Sequence, residues 1–141
     1  MVVIIDFDGT CVTHAFPEVG VDIGAEEVLK NIVNNNHLLL LSTMRCNHTF
    51  VPSSDQPDII AKAGNYLDDA LDWFNKRGIP LWGIQTNPTQ SGWTTSPKPY
   101  GHLIIDDIAL GCPLKIDLTI SNKPFVDWEK VKQLLIEKNI I

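Results

Sequence analysis

Val2-Val3-Ile4-Ile5-Asp6-Phe7-Asp8-Gly9-Thr10 is the stretch on which the fold turns. Four consecutive apolar, β-branched residues read as a strand buried on both faces, and the chain leaves it through two carboxylates and a glycine. Val28, Leu29, Ile32 and Val33 then recur at helical spacing and end at Asn34-Asn35-Asn36, after which Leu38–Leu41 repeats the buried-strand signature. Ile60, Ala63, Leu67, Ala70, Leu71 and Phe74 form one stripe, which predicts a long helix from an Asp58 cap to Gly78. Further strands are expected over 79–84, 103–105 and 114–120. Trp128, Val131, Leu134 and Leu135 mark a last amphipathic helix behind an Asp127 cap. Strands alternating with helices imply right-handed crossovers and a parallel sheet, hence an α/β layered domain.

The 141 residues make one domain's length, 1–141, and 44% hydrophobic content excludes a disordered or collagen-like chain. A net charge of −6 repels polyanions, which argues against non-specific binding to nucleic acid or acidic membranes but not against one small anion held locally. Cys11, Cys46 and Cys112 are odd in number and lack CxxC spacing, so free thiols in a reducing cytoplasm are expected. The apolar runs are far too short to span a bilayer, and no basic-then-apolar leader is visible. A cytoplasmic protein with no membrane partner is the expectation.

Ligands of parallel α/β sheets bind beyond the carboxyl ends of the strands. Asp6 and Asp8 follow the first strand, Ser42-Thr43-Met44-Arg45 the second, and Asp106-Asp107 the strand at 103–105, with Lys98 just upstream. Four carboxylates at one edge repel one another unless cations intervene. Lys98 supplies one charge and a divalent metal two more. Hard oxygen donors without Cys/His spacing suit Mg²⁺ rather than zinc. Asp106-Asp107 taken alone reads equally well as a solvated turn, whereas Asp6 and Asp8 adjoin a buried strand, where a carboxylate is costly without a purpose.

Asp-x-Asp-Gly-Thr at 6–10, Thr43, Lys98 and Asp106-Asp107, in that order, resemble the motifs of the haloacid dehalogenase-like (HAD) superfamily. The stretch from Ser96 to Asp107, followed by Gly111-Cys112-Pro113-Leu114, is similar to small HAD-like hydrolases of bacterial and phage genomes, and the resemblance covers essentially the whole chain. It implies a three-layer Rossmann-like core, a parallel central sheet flanked by helices, and a phosphomonoester hydrolase that works through an aspartyl-phosphate. Asp6 would be the nucleophile. Asp8 would protonate the leaving oxygen and then activate water, with Thr10 orienting it. Thr43, or its neighbour Ser42, would bind a phosphoryl oxygen, and Lys98 would neutralise phosphoryl charge and hold Asp6. Mg²⁺ would be held by the Asp6 side chain, the Asp8 main-chain carbonyl and Asp107, with Asp106 facing Lys98 or a water on the metal. The second aspartate of the pair argues for phosphoryl transfer over dehalogenation.

Arg45 has two readings: a fork onto a second anionic group of the substrate, or an ion pair with Asp55 or Asp58. His14, His48 and His102 read as structural or exposed. Trp82, Trp93 and Trp128 read as packing residues, with Trp93 able to border the pocket. Residues 11–23 suffice for a flap but not for a cap domain, so a capless site is expected, rimmed by loops 46–58 and 86–97. An open site suits a small-molecule or macromolecular phosphate ester, or a partner copy that covers it. The acidic balance disfavours nucleic-acid ends, although Arg45, Lys62 and Lys98 would give a local positive rim. Two other classes use similar residues. One is a receiver-like phospho-accepting domain, in which the acidic pair comes first and the acceptor Asp later. The other is a non-catalytic phosphate-binding module on the same fold.

Overall fold

The computed structural model describes residues 1–48 and 64–141. In chain order the elements are β1 (Val2–Ile5), α1 (Ala25–Asn34), β2 (Leu38–Leu41), β3 (Asn47–His48), β4 (Gly64–Asn65), α2 (Tyr66–Lys76), β5 (Gly83–Ile84), β6 (Leu103–Ile105), β7 (Leu114–Lys115), β8 (Phe125–Val126) and α3 (Trp128–Glu137). The opening apolar run is paired on both edges, Val3 with Leu39 on one side and with Leu103 on the other. Four parallel strands result, in the order β5-β2-β1-β6.

That order dictates the layers. The chain steps from β1 to β2 to β5 in one direction and then returns past β1 to reach β6. With right-handed crossovers, the first two connections must share one face and the third must cross the other. Val3, Ile5, Leu39, Leu41 and Ile105 point to the first face and join Leu29 and Ile32 of α1, Phe74 of α2 and Val131 of α3 in the main core. Val2, Ile4 and Leu40 point the other way and pack with Trp82 in a smaller cluster. The 85–102 crossover runs over this second face. Gly101 lies so close to Ile4 that a Cβ there would sit 2.7 Å from its side chain. Apart from a 3-10 turn at Gln90–Gly92 this crossover is irregular. Its run of Pro, Thr, Ser and Gly cannot hold a helix, so side chains tie it down instead: Asn87 Nδ2 donates to Tyr100 O at 2.7 Å, and Gln90 Nε2 to Ser96 O at 3.0 Å. The parallel, Rossmann-like α/β architecture stands as expected, with helices on one face and this crossover on the other among the described residues.

Three element boundaries differ from expectation. Among the described residues the helix expected from Asp58 covers only Tyr66–Lys76, because Gly64–Asn65 is extended and pairs antiparallel with Asn47–His48. Asp58, Ile60 and Ala63 lie outside the described residues. α2 is instead capped from a distant segment: Asn47 Oδ1 accepts from the amides of Leu67 and Asp68, both at 3.1 Å. Gly78 ends the segment at φ 64, as its C′ placement requires. In 79–84 only Gly83 and Ile84 are strand: Pro80 has no amide hydrogen to give, and the contact with β2 begins where Trp82 N donates to Leu39 O at 2.8 Å. In 114–120 only the first two are strand, and they pair with Phe125–Val126 apart from the main sheet. Asp117 Oδ1 accepts from the Thr119 amide at 3.0 Å and turns the chain there. Asp127 caps α3 as expected, accepting from the Lys130 amide. The three cysteines are free, and no described helix is long and apolar enough to cross a membrane.

Candidate active site

The end of β1 is a tight, heavily bonded turn. Asp6 N still donates to Ile105 O at 3.1 Å, after which the Phe7 carbonyl accepts from Thr10, Cys11 and Val12. Phe7 continues the core-facing alternation, so Asp6 and Asp8 face the other way. Gly9 closes the turn at φ 83. A side chain there would be strained, and its Cβ would lie 2.2 Å from His14 Nε2 and 2.7 Å from Asp107 Oδ2. The turn is braced from the C-terminal elements: Trp128 Nε1 donates to Thr10 O at 2.7 Å, and Val126 N to Gly9 O at 2.9 Å. The buried Cys11 thiol is pushed well above its usual range by burial, with the Asp6 and Asp8 charges adding to the effect, so it is inert packing.

Because β2 and β6 flank β1, their carboxyl ends open onto the same place, the point where the strand order reverses. A cavity of about 360 Å³ lies there, lined by the four aspartates with His14 and Thr43. The Thr10 hydroxyl ties two of the aspartates together, donating to Asp6 Oδ2 at 3.0 Å and accepting from the Asp107 amide at 3.0 Å. His14 Nε2 lies 2.9 Å from Asp107 Oδ2, and Asp106 Oδ1 accepts from the Ile108 amide at 2.9 Å. Ligand oxygens of Asp6, Asp106 and Asp107 all lie within 4.8 Å of one another. Burial pushes the Asp6 carboxyl up to about 7. The hydrogen bonds from the Phe7 amide and, more weakly, the Thr10 hydroxyl oppose this, whereas the charges of Asp106 and, more weakly, Asp107 add to it. An all-oxygen, all-carboxylate donor set of this span fits a hard divalent ion such as Mg²⁺, and the ion would relieve the repulsion that now opposes ionisation.

Asp8 is held differently. Arg45 Nε donates to its Oδ2 at 2.7 Å and the Arg45 terminal nitrogen to its Oδ1 at 2.8 Å, a bidentate fork. Arg45 is only 2% exposed. It also donates to Glu18 O at 2.7 Å, makes 3.4 Å contacts to Pro17 O and Tyr66 O, and lies between the rings of Phe7 and Phe16, 5.2 Å from each. One guanidinium thus joins Asp8, the flap and the start of α2.

The structure brings Asp6, Asp8, Ser42, Thr43, Asp106 and Asp107 to one cavity. It corrects four expectations. Thr10 orients Asp6 and the Asp107 backbone, not Asp8, because the turn about Phe7 O folds residue 10 back beneath residue 6. Arg45 pairs with Asp8, and its burial leaves it no free fork for a substrate; Asp55 and Asp58 lie outside the described residues. Lys98 is not brought to the cavity. The chain enters β6 at the opposite end of the sheet, where His102 N donates to Val2 O, and the exposed Lys98 lines a separate cavity with Trp93 and Tyr100. Lys98 makes no ion pair among the described residues. Loop 86–97 likewise belongs to that second cavity and does not rim the aspartates, whereas 49–58 is outside the described residues.

The sequence reading misjudged one residue, His14, expected to be structural or exposed, and missed another, Gln85. His14 reaches the site from the flap. Gln85, at φ 62, pins the β2 end: its Nε2 donates to Thr43 O at 2.7 Å and Arg45 O at 3.0 Å, and its Oε1 accepts from Thr43 N at 3.0 Å. A histidine shortly after Asp-x-Asp-Gly-Thr was a usable signal for the first. The second depends on β2 and β5 being neighbours, which no local pattern reveals. His102 is structural as expected, its Nδ1 accepting from Val2 N at 2.9 Å, and Trp82 and Trp128 pack. The His48 side chain lies outside the described residues.

Comparison with protein-family models gives no match, nor does comparison with curated proteins. Among solved structures the chain is similar to a conserved protein coded by a locus of Bacteroides thetaiotaomicron, with 27% identity and a TM-score of 0.70. The alignment covers 98% of this chain and 91% of that one. The two chains therefore share the parallel, Rossmann-like α/β fold over nearly their whole length.

Proposed function

We propose that this chain is a Mg²⁺-dependent phosphomonoester hydrolase of the HAD type, acting through an aspartyl-phosphate on Asp6. The observation that carries this reading is the convergence of Asp6, Asp106 and Asp107 within 4.8 Å at the switch point of a parallel sheet. Three carboxylates in such a place are unfavourable without a cation. Asp6, Asp106 and Asp107 would hold Mg²⁺, which supplies charge stabilisation for the phosphoryl oxygens.

The protein's own groups divide the remaining work. Thr10 fixes the Asp6 carboxylate for attack on phosphorus; the P–O ester bond breaks as the Asp6–phosphorus bond forms. The Thr43 hydroxyl oxygen accepts from the Arg45 amide, so its hydrogen is free for a phosphoryl oxygen. Asp8, held by Arg45, would give a proton to the leaving oxygen and then take one from the water that cleaves the intermediate. Lys98 has no part in this scheme. The free thiols agree with a reducing compartment, and we place the protein in the cytoplasm.

A second reading has one observation in its favour. Arg45 occupies both oxygens of Asp8, which would slow hydrolysis of the intermediate and leave a phospho-accepting domain instead of an enzyme. Acetyl phosphate and p-nitrophenyl phosphate, with and without Mg²⁺ and with Asp6→Asn as the blank, separate the two. Multiple turnovers that need Mg²⁺ and Asp6 support the hydrolase. A single, persistent phosphorylation supports the acceptor. No phosphorylation and no turnover would remove both.

A further inference from the structure

We infer that His14 is a positioning residue of the metal site, holding Asp107 in the conformation that presents its other carboxylate oxygen to the cation. This rests on the metal-site reading above.

Asp107 follows a strand end, where a short carboxylate side chain has several rotamers open to it. Two tethers remove that freedom, one from the β1 turn and one from the flap that follows it. The Thr10 hydroxyl accepts from the Asp107 amide and fixes the backbone. His14 Nε2, 2.9 Å from Oδ2, fixes the carboxylate. Among the described residues nothing else hydrogen-bonds that carboxylate, so its second oxygen remains available to the cluster with Asp6 and Asp106. A carboxylate can only accept, so Nε2 donates, and the neutral ring already carries the hydrogen required.

The surroundings are built for this contact. The empty space above Gly9 is what His14 and Asp107 fill. The His14 side chain keeps 29% of its surface exposed and that of Asp107 13%, so the imidazole is not there to complete the core. It lines the cavity directly. Outer partners of ligating carboxylates typically set metal affinity by about 10–100-fold.

Mn²⁺ uptake, followed by loss of the free-ion electron paramagnetic resonance signal and reversed by Mg²⁺, reads the effect without reference to turnover. His14→Ala should weaken binding by about 10–100-fold with the metal-free melting temperature retained, and His14→Gln, which keeps a donor, should recover most of that loss. At saturating Mg²⁺ kcat should persist while the Mg²⁺ concentration needed for half-activity rises. Wild-type affinity in His14→Ala would overturn the inference, as would equal losses in the Ala and Gln variants. Absence of Mn²⁺ binding by the wild-type chain would instead remove the metal-site reading itself, and this inference with it.

Discussion

Asp6→Asn should abolish turnover and yet stabilise the metal-free protein. Burial raises the Asp6 carboxyl from 3.8 to about 7, so between those values the folded chain keeps a proton that the unfolded chain has released. The folded state then binds more protons, and stability falls as pH rises through that window. At pH 8 the full cost would be about 4 kcal/mol at 1.36 kcal/mol per pH unit, an upper bound that relaxation and water reduce to about 1–3 kcal/mol. Asparagine removes the charge and keeps an oxygen for the Thr10 hydroxyl. Thermal melting in EDTA is the assay. For a chain of this size the variant should melt about 3–10 °C above wild type at pH 8. The gap should narrow steadily towards pH 4. A variant that melts below wild type at pH 8, or a gap that widens on acidification, would refute the electrostatic reasoning.

Three further substitutions probe the supports. Arg45→Met should cost about 3 kcal/mol in urea denaturation, because Asp8 and the flap carbonyls lose their shared donor. Trp128→Phe keeps the packing but leaves the Thr10 carbonyl unpaired, and should lower stability by about 1–3 kcal/mol and reduce turnover by loosening the turn. Lys98→Ala should leave turnover of p-nitrophenyl phosphate within about twofold, as expected of a surface lysine remote from the reacting atoms; a hundredfold loss, which is the scale of a lost charge-stabilising group, would show that Lys98 reaches the site.

The sheet and its functional edge were legible because they rest on local signals. Val2–Ile5 and Leu38–Leu41 announce buried parallel strands, and in such sheets the residues that follow are where ligands sit. What was illegible depends on distant segments meeting. Asn47 caps a helix that starts nineteen residues later, Gln85 pins a loop across a strand pair, and Arg45 finds Asp8 from the neighbouring strand. Lys98 misled because order along the chain is not position in space: the crossover delivers residues 98–102 to the start of β6, a strand's length from the carboxylates at its end.

The most direct measurement is the identity of the phosphorylated residue. The chain is incubated with acetyl phosphate and Mg²⁺, quenched with borohydride to reduce any acyl phosphate to a stable alcohol, and mapped by mass spectrometry. The expected result is modification of Asp6 alone, absent with EDTA and absent in Asp6→Asn. Modification of Asp8, Asp106 or Asp107 in its place, or of Asp6 without a divalent ion, would contradict the proposed site.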